Sequence, residues 1–321
     1  MSASKSRPKV KTYLVTGGAG FIGSNLAEEL VRRGERVRVL DNFITGKREN
    51  LSSFQNFIEL IEGDIRDLET CRRVLRKADY VLHQAALASV PRSIQEPLLS
   101  HDINVNGTLN LLKASVEAGI KKFVFASSSS VYGDSPELPK KEGFEGKLLS
   151  PYAVHKFSAE KYCQVFHEIY GLETVSLRYF NVFGPRQDPS SQYAAAIPLF
   201  ITQMLRGEKP QIFGDGEQSR DFTPVANVVE ANLRAVEAPP AVGGEVFNIA
   251  CGERTTVNSL AREIADLLGI SVVPSYTDPR PGDILHSFAS IDKARTVLGF
   301  VPSIGFKQGL KKTVAWYKIR S

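Results

Sequence analysis

The stretch "LVTGGAGFIGSNL" sets glycines at positions 17, 18, 20 and 23, between an apolar run and a helical pattern. No other feature narrows the fold as far. Two overlapping spacings fit, Gly18-x-Gly20-x-x-Gly23 and Gly17-x-x-Gly20-x-x-Gly23. "TYLVTGG" (12–18) predicts a strand running into a glycine turn. "SNLAEELVRRG" (24–34) predicts a helix, with Leu26, Ala27, Leu30 and Val31 on one face and Gly34 to close it. A strand, a glycine turn and a helix N-terminus together let an anion such as a pyrophosphate approach free N–H groups. The next strand, "RVRVLD" (36–41), ends in Asp41, eighteen residues after Gly23. A carboxylate there accepts from a ribose 2′-hydroxyl and repels a 2′-phosphate, so NAD rather than NADP is expected.

Later strands are expected at "DYVLHQAA" (79–86), "KFVFASS" (122–128) and "TVSLRYF" (174–180), with helical stretches between them. That alternation predicts an α/β fold, a Rossmann-type doubly wound parallel sheet. Beyond residue 181 the pattern turns to "FGPRQDP", "GDGEQSRDFTP", "APPAVGG" and "DPRPGD". A smaller mixed α/β domain is expected there, including a helix at 256–269. The expected division is a dinucleotide-binding domain at 10–181, with 226–250 returning to it through "EVFNIA". The smaller, substrate-binding domain takes 182–225 and 251–321.

The chain has 321 residues and 42% hydrophobic composition, with no apolar run of membrane-spanning length. Its first residues, "MSASKSRPKVK", are polar and charged, which suggests a cytoplasmic protein. Three scattered cysteines without a CxxC pair argue for free thiols and against a metal site. The net charge of +5 comes from scattered basic pairs, which suit a small anionic ligand better than nucleic acid.

"SPYAVHKFSAEKYCQVFHEIYG" (150–171) reads as one helix, with Ser150 as N-cap, Pro151 in the first turn and Gly171 at the end. Tyr152 and Lys156 lie four apart on one face. An ammonium beside a phenol lowers the phenol's pKa and makes it a usable base. With ten tyrosines in the chain, such a pair also arises by chance on a surface helix. The run "FASSSSVYGD" (125–134) reads alone as a solvated loop. Following a buried-strand pattern, its hydroxyls fall where ligands of parallel sheets bind. "EGDIRD" (62–67) places Asp64 and Ile65 at a strand end where adenine could be bracketed, though Asp64 suits a solvated turn equally. "HQAA" (83–86) is another small-residue strand end suited to lie against a cofactor.

In order along the chain, "TGGAGFIG", "DNF", "EGDIRD", "NVNGT", "SSSSVYG", "SPYAVHK", "RYFNVFGPRQ", "GDGEQSRDF" and "RPGD" resemble the extended short-chain dehydrogenase/reductase family, and within it the UDP-sugar 4-epimerases. The resemblance implies Ser128, Tyr152 and Lys156 as the catalytic set. It implies a cofactor site for NAD made of Gly17, Gly20, Phe21, Ile22, Asp41, Asn42, Asp64, Ile65, Gln84, Ala85, Ala86, Asn104, Tyr152, Lys156 and Tyr179. For a UDP-sugar it implies Ser89, Ser128, Ser129, Asn181, Tyr193, Arg220, Arg280, Asp283 and Ser287, the arginines on the diphosphate.

Dehydratases of the family carry an Asp-Glu pair where this chain has Ser129 and Ser130, which argues for an epimerase. Ser287 stands at a position that gates the sugar pocket; a small residue there suggests acceptance of N-acetylated hexoses, or is simply a small loop residue. Asn227 stands where the family has an aspartate, and asparagine caps a helix as well. A UDP-glucuronate 4-epimerase, with Arg92 or His101 on the carboxylate, is one alternative. A nucleotide-sugar dehydrogenase or reductase is another. The resemblance also implies a homodimer formed through the helix of Tyr152.

Overall fold

The computed structural model describes residues 10–189, 195–279 and 285–320. Its core is a seven-stranded sheet of β1 (Thr12–Thr16), β2 (Arg36–Asp41), β3 (Ile58–Glu62), β4 (Tyr80–His83), β5 (Lys122–Ser128), β6 (Thr174–Tyr179) and the strand Glu245–Ile249. All pairings are parallel, in the order β3-β2-β1-β4-β5-β6 followed by Glu245–Ile249. This is the Rossmann-type doubly wound sheet. β6 is buried along its whole length, as a parallel strand covered on both faces must be. The strand order reverses between β1 and β4, which opens a crevice outside their carboxyl ends.

The helices preceding the second half of the chain are α1 (Phe21–Arg32), α2 (Leu68–Leu75), α3 (Val90–Gln95), α4 (Pro97–His101), α5 (Gly107–Ala118) and α6 (Pro151–Tyr170). α1 packs with helix Val225–Glu237 in one apolar core, around Leu26, Leu30 and Val228. α2, α5 and α6 form another, around Val74, Leu111 and Cys163. A third core joins helices Ala196–Leu205, Val257–Leu268 and Phe306–Lys318. Among the described residues, no helix is long and apolar enough to cross a membrane.

Local chemistry explains the element ends. The hydroxyl of Ser150 accepts from the Ala153 N–H at 3.2 Å, and Gly171 ends α6 at φ 69°. α1 begins at Phe21, three residues before the expected start, because the backbone leaves the glycine turn already at Gly20. Asn227 is not a cap: it lies inside helix Val225–Glu237, whose N-cap is Pro224. Its buried amide accepts from the N–H groups of Ser303 and Ile304 at 3.1 Å and donates to the Ile304 carbonyl at 2.8 Å. An amide suits that place better than a carboxylate, since it can donate as well as accept.

Candidate active site

The glycine turn and β4 meet without room for side chains. Gly17 has φ +65°, and a Cβ on it would sit 2.7 Å from the Ala85 backbone. A Cβ on Gly23 would collide with the Gly17 carbonyl. Beyond this contact lies a cleft of about 970 Å³. Of the residues expected at the site, it is lined by Gly17, Gly20, Phe21, Ile22, Asp41, Asn42, Ile65, Gln84, Ala85, Ala86, Ser89, Tyr152, Lys156 and Tyr179. A backbone cradle free of Cβ atoms, the first turn of α1 and a carboxylate at the end of β2 fit a dinucleotide. Gly17, Gly20, Phe21 and Ile22 would hold the pyrophosphate, and Asp41 the adenosine ribose.

Asp41 is already fixed by its surroundings. Its carboxylate accepts from the N–H groups of Ala19 and Phe43, each at 2.8 Å. Burial raises its pKa despite these bonds. Asp64 sits just behind the lining; it accepts from Asn42 at 2.8 Å and pairs with Arg66. Burial alone would raise its pKa, but the Arg66 guanidinium holds it at about 2. Asn104 bonds backbone rather than facing the cleft, accepting from Leu87 N at 2.8 Å and donating to Leu87 O at 3.2 Å. It occupies the π-helical segment Asp102–Asn106 that follows α4.

At the reactive end, the Ser128 hydroxyl, which accepts from the Ser130 N–H at 3.2 Å, stands near the Tyr152 phenol and favours its ionised form. Burial pushes the Tyr152 phenol up to about 12, and the Ser128 hydroxyl opposes that. Lys156 does not bond the phenol. Its Nζ donates to the Ala126 carbonyl at 2.7 Å and lies 5.8 Å from the Tyr152 ring centre. Burial brings Lys156 down to about 8, with Glu160 pulling the other way. The expectation that the ammonium lowers the phenol's pKa is therefore not met here: both groups are buried, and desolvation of each dominates.

Of the remaining expected residues, those the structure describes lie outside the lining, Ser128 among them. Ser129 begins a 3₁₀ turn, Ser129–Tyr132. Asn181, at φ 35°, donates to the Asp221 carbonyl at 3.1 Å. Arg220 and Ser287 are register partners in a small sheet of strands Thr255–Thr256, Ser219–Arg220 and His286–Ser287. The two are thus neighbours on one ladder. Tyr193, Arg280 and Asp283 lie outside the described residues.

The structure adds residues that sequence reasoning did not single out. Glu160 and Arg178, both buried, form a bidentate pair at 2.9 and 2.7 Å. Ser127 also donates to Glu160, tying the end of β5 to α6. Glu160 falls four residues after Lys156, so helical spacing could have found it; Arg178 stands in an apolar strand and was a signal in itself. Ser93, fully buried, accepts from the Tyr152 N–H at 3.1 Å. Tyr179 accepts from Asn232 at 2.8 Å and from Gln84 at 3.2 Å.

The family described as "NAD dependent epimerase/dehydratase family" matches residues 13–250. The UDP-N-acetylglucosamine 4-epimerase of Methanobrevibacter ruminantium M1, solved with UDP-N-acetylmuramic acid, is 44% identical with a TM-score of 0.93, covering 98% of this chain and 100% of that one. The UDP-glucose 4-epimerase of Thermotoga maritima, solved with UDP-glucose, is 41% identical with a TM-score of 0.91, covering 96% and 99%. A UDP-glucose 4-epimerase of Mycolicibacterium smegmatis is 38% identical over 312 residues, 96% of this chain and 99% of that one. With the glycine cradle, the cleft and these matches together, the chain belongs to the NAD dependent epimerase/dehydratase family.

Proposed function

We propose that the protein is a UDP-sugar 4-epimerase. It would interconvert UDP-N-acetylglucosamine with UDP-N-acetylgalactosamine, and UDP-glucose with UDP-galactose. The observation that carries this reading is that Tyr152 and Lys156 line the same cleft as the glycine cradle and Asp41, with Ser128 beside the Tyr152 phenol. The activities of the similar enzymes support it.

When bound, NAD supplies hydride acceptance and return at C4 of the sugar. The chain's own part is acid–base and positional. Tyr152 takes the proton of the 4-hydroxyl and later gives it back, and Ser128 bonds the same sugar oxygen. Lys156, bonded to the end of β5, would hold the nicotinamide ribose. Because one face of C4 loses hydride and the other regains it, the sugar turns within the cleft, and the reaction is redox-neutral. Residues 182–225 and 251–321 form the UDP-sugar lobe in this reading, with Arg220 and Arg280 on the diphosphate, Asn181 near it, Asp283 on the uridine ribose, and Ser129, Tyr193 and Ser287 near the sugar. Small Ser287 leaves space for an N-acetyl group.

An exposed stripe of Val154, Tyr162, Val165 and Ile169 along α6 suits a homodimer interface. Three free cysteines suit the reducing cytoplasm. The test is incubation of the purified protein with UDP-glucose, UDP-N-acetylglucosamine and UDP-glucuronate, with products resolved by proton NMR. Conversion of the N-acetylated sugar to its galacto epimer is expected. No conversion of any of the three, even with NAD supplied, overturns the reading.

A further inference from the structure

One wall of the cleft carries an ion pair that the reading of C4 chemistry does not use. Ser89, Arg92 and Glu96 all line the cleft from α3 and its flanks. Their spacings of three and four place them on one helical face. Ser89 caps the helix, accepting from the Arg92 N–H at 3.3 Å. Arg92 Nε donates to Glu96 Oε2 at 2.6 Å, with the two side chains 34% and 45% exposed. This wall is anchored at the reactive end. The residue beside Arg92, Ser93, holds the Tyr152 N–H and donates its own hydroxyl to the Val90 carbonyl at 2.6 Å.

The other cleft-lining cations are committed elsewhere. Lys156 donates to Ala126, Arg186 pairs with Glu28 at 2.7 Å and Lys47 pairs with Asp188 at 3.1 Å. Those last two pairs belong to the loops beside α1 and β2. Arg92 is thus the cleft cation on the α3 side, and its partner carboxylate sits in the same cleft.

We propose that Arg92 and Glu96 form a charge gate that sets discrimination between neutral and carboxylate-bearing sugar nucleotides. The proposal rests on the reading that a sugar nucleotide occupies this cleft. A neutral sugar leaves the pair intact. A sugar carboxylate that approaches the guanidinium meets Glu96 already bonded at Nε, and must share the fork with it or displace it. Either way two carboxylates stand in one cleft, which is a repulsive element against the charged sugar. Half-exposed pairs are worth up to about 1 kcal/mol, so the gate biases selection by roughly fivefold rather than absolutely.

The test measures Kd and kcat/KM for UDP-glucuronate and for UDP-N-acetylglucosamine at low salt, in the parent protein, Glu96→Gln, Arg92→Gln and the double variant. Glu96→Gln should raise the preference for uronate over neutral sugar by roughly fivefold, as a lower Kd ratio, a higher kcat/KM ratio or both. Arg92→Gln should lower that preference, and the double variant should lose the gain. An unchanged ratio in Glu96→Gln overturns the gate. So does an equal gain in the double variant, which would mean that Glu96 acts without Arg92. If the parent converts the neutral sugar and the ratio does not move, the gate alone fails. If neither sugar nucleotide binds or reacts, the functional reading fails and the gate with it.

Discussion

Lys47 Nζ lies 3.1 Å from Asp188 Oδ2, an ion pair between two loops that both line the cleft. Each loop is separately fastened. The Lys47 N–H donates to the Ala19 carbonyl in the glycine turn at 2.9 Å. On the other side, Arg186 pairs with Glu28 at 2.7 Å, and the Gln187 carbonyl accepts from the Tyr317 hydroxyl. The Lys47–Asp188 pair is therefore a link between two anchored margins. Both side chains are more than a third exposed, at 41% and 37%, so salt screens the link.

Lys47→Ala should loosen retention of NAD without altering the chemistry. An exposed pair contributes up to about 1 kcal/mol, so the NAD off-rate should rise by up to about fivefold. In the parent, added salt should speed release; in Lys47→Ala that acceleration should shrink. Release can be followed by trapping freed NAD with an excess of a coupled dehydrogenase. Equal off-rates and equal salt slopes in the two proteins would remove the link from any role in retention.

Tyr152→Phe keeps the ring that packs in the site and deletes the oxygen that stands near Ser128. Loss of a general acid–base group costs about 10²–10⁴ in rate. Epimerisation should fall by at least that range while bound NAD and the melting temperature stay near the parent's. Ser128→Ala should lose less, since Tyr152 keeps its proton-transfer role. Rates come from proton NMR of the epimer ratio; parent-like turnover in Tyr152→Phe would exclude the assignment.

Glu160 sits 1% exposed against Arg178 at 2% exposed, and Arg178 Nη1 also pairs with Glu145 at 2.5 Å. Removing one partner of a buried pair strands the other charge, at a cost of about 3–5 kcal/mol. Glu160→Ala should lower stability by that amount in urea unfolding. It should also loosen Ser127, and with it the strand end that receives Lys156. A loss below about 1 kcal/mol would show that Glu145 alone satisfies the arginine.

How far the fold was legible depends on what each residue needs. The glycine turn was legible because Gly17 and Gly23 stand where no Cβ fits, and only one residue type meets that demand. β5 matches the expected bounds because a buried parallel strand shows a continuous apolar run, and β2 matches through Val37 and Val39 and its closing Leu40 and Asp41. The capped helix α6 was legible from Ser150 and Gly171. Less legible were residues whose role depends on tertiary neighbours. Asn104 bonds Leu87, Asn227 bonds Ser303 and Ile304, and Arg178 bonds Glu160, each across at least seventeen residues of sequence. The pKa order of Tyr152 and Lys156 was likewise hidden, because spacing on a helix gives proximity but not burial.

Lys156 offers a pH test with a defined sign. Burial takes its pKa from 10.5 to about 8. Between those values the unfolded chain holds a proton that the folded protein has released, so stability rises with pH across that window. Below about 8 the folded protein carries a buried charge, at a cost on the order of 3 kcal/mol. Lys156→Met removes that cost and also the bond to the Ala126 carbonyl, worth about 1 kcal/mol. At pH 7 the variant should be more stable than the parent by on the order of 2 kcal/mol, while losing epimerase activity. The advantage should vanish as the pH approaches 10.5, where the folded lysine is neutral and no longer carries a buried charge. Urea unfolding of both proteins at pH 7 and pH 10 reads the difference directly. A pH-independent difference would mean that Lys156 keeps its ordinary pKa in the folded protein, with its ammonium solvated or paired rather than desolvated.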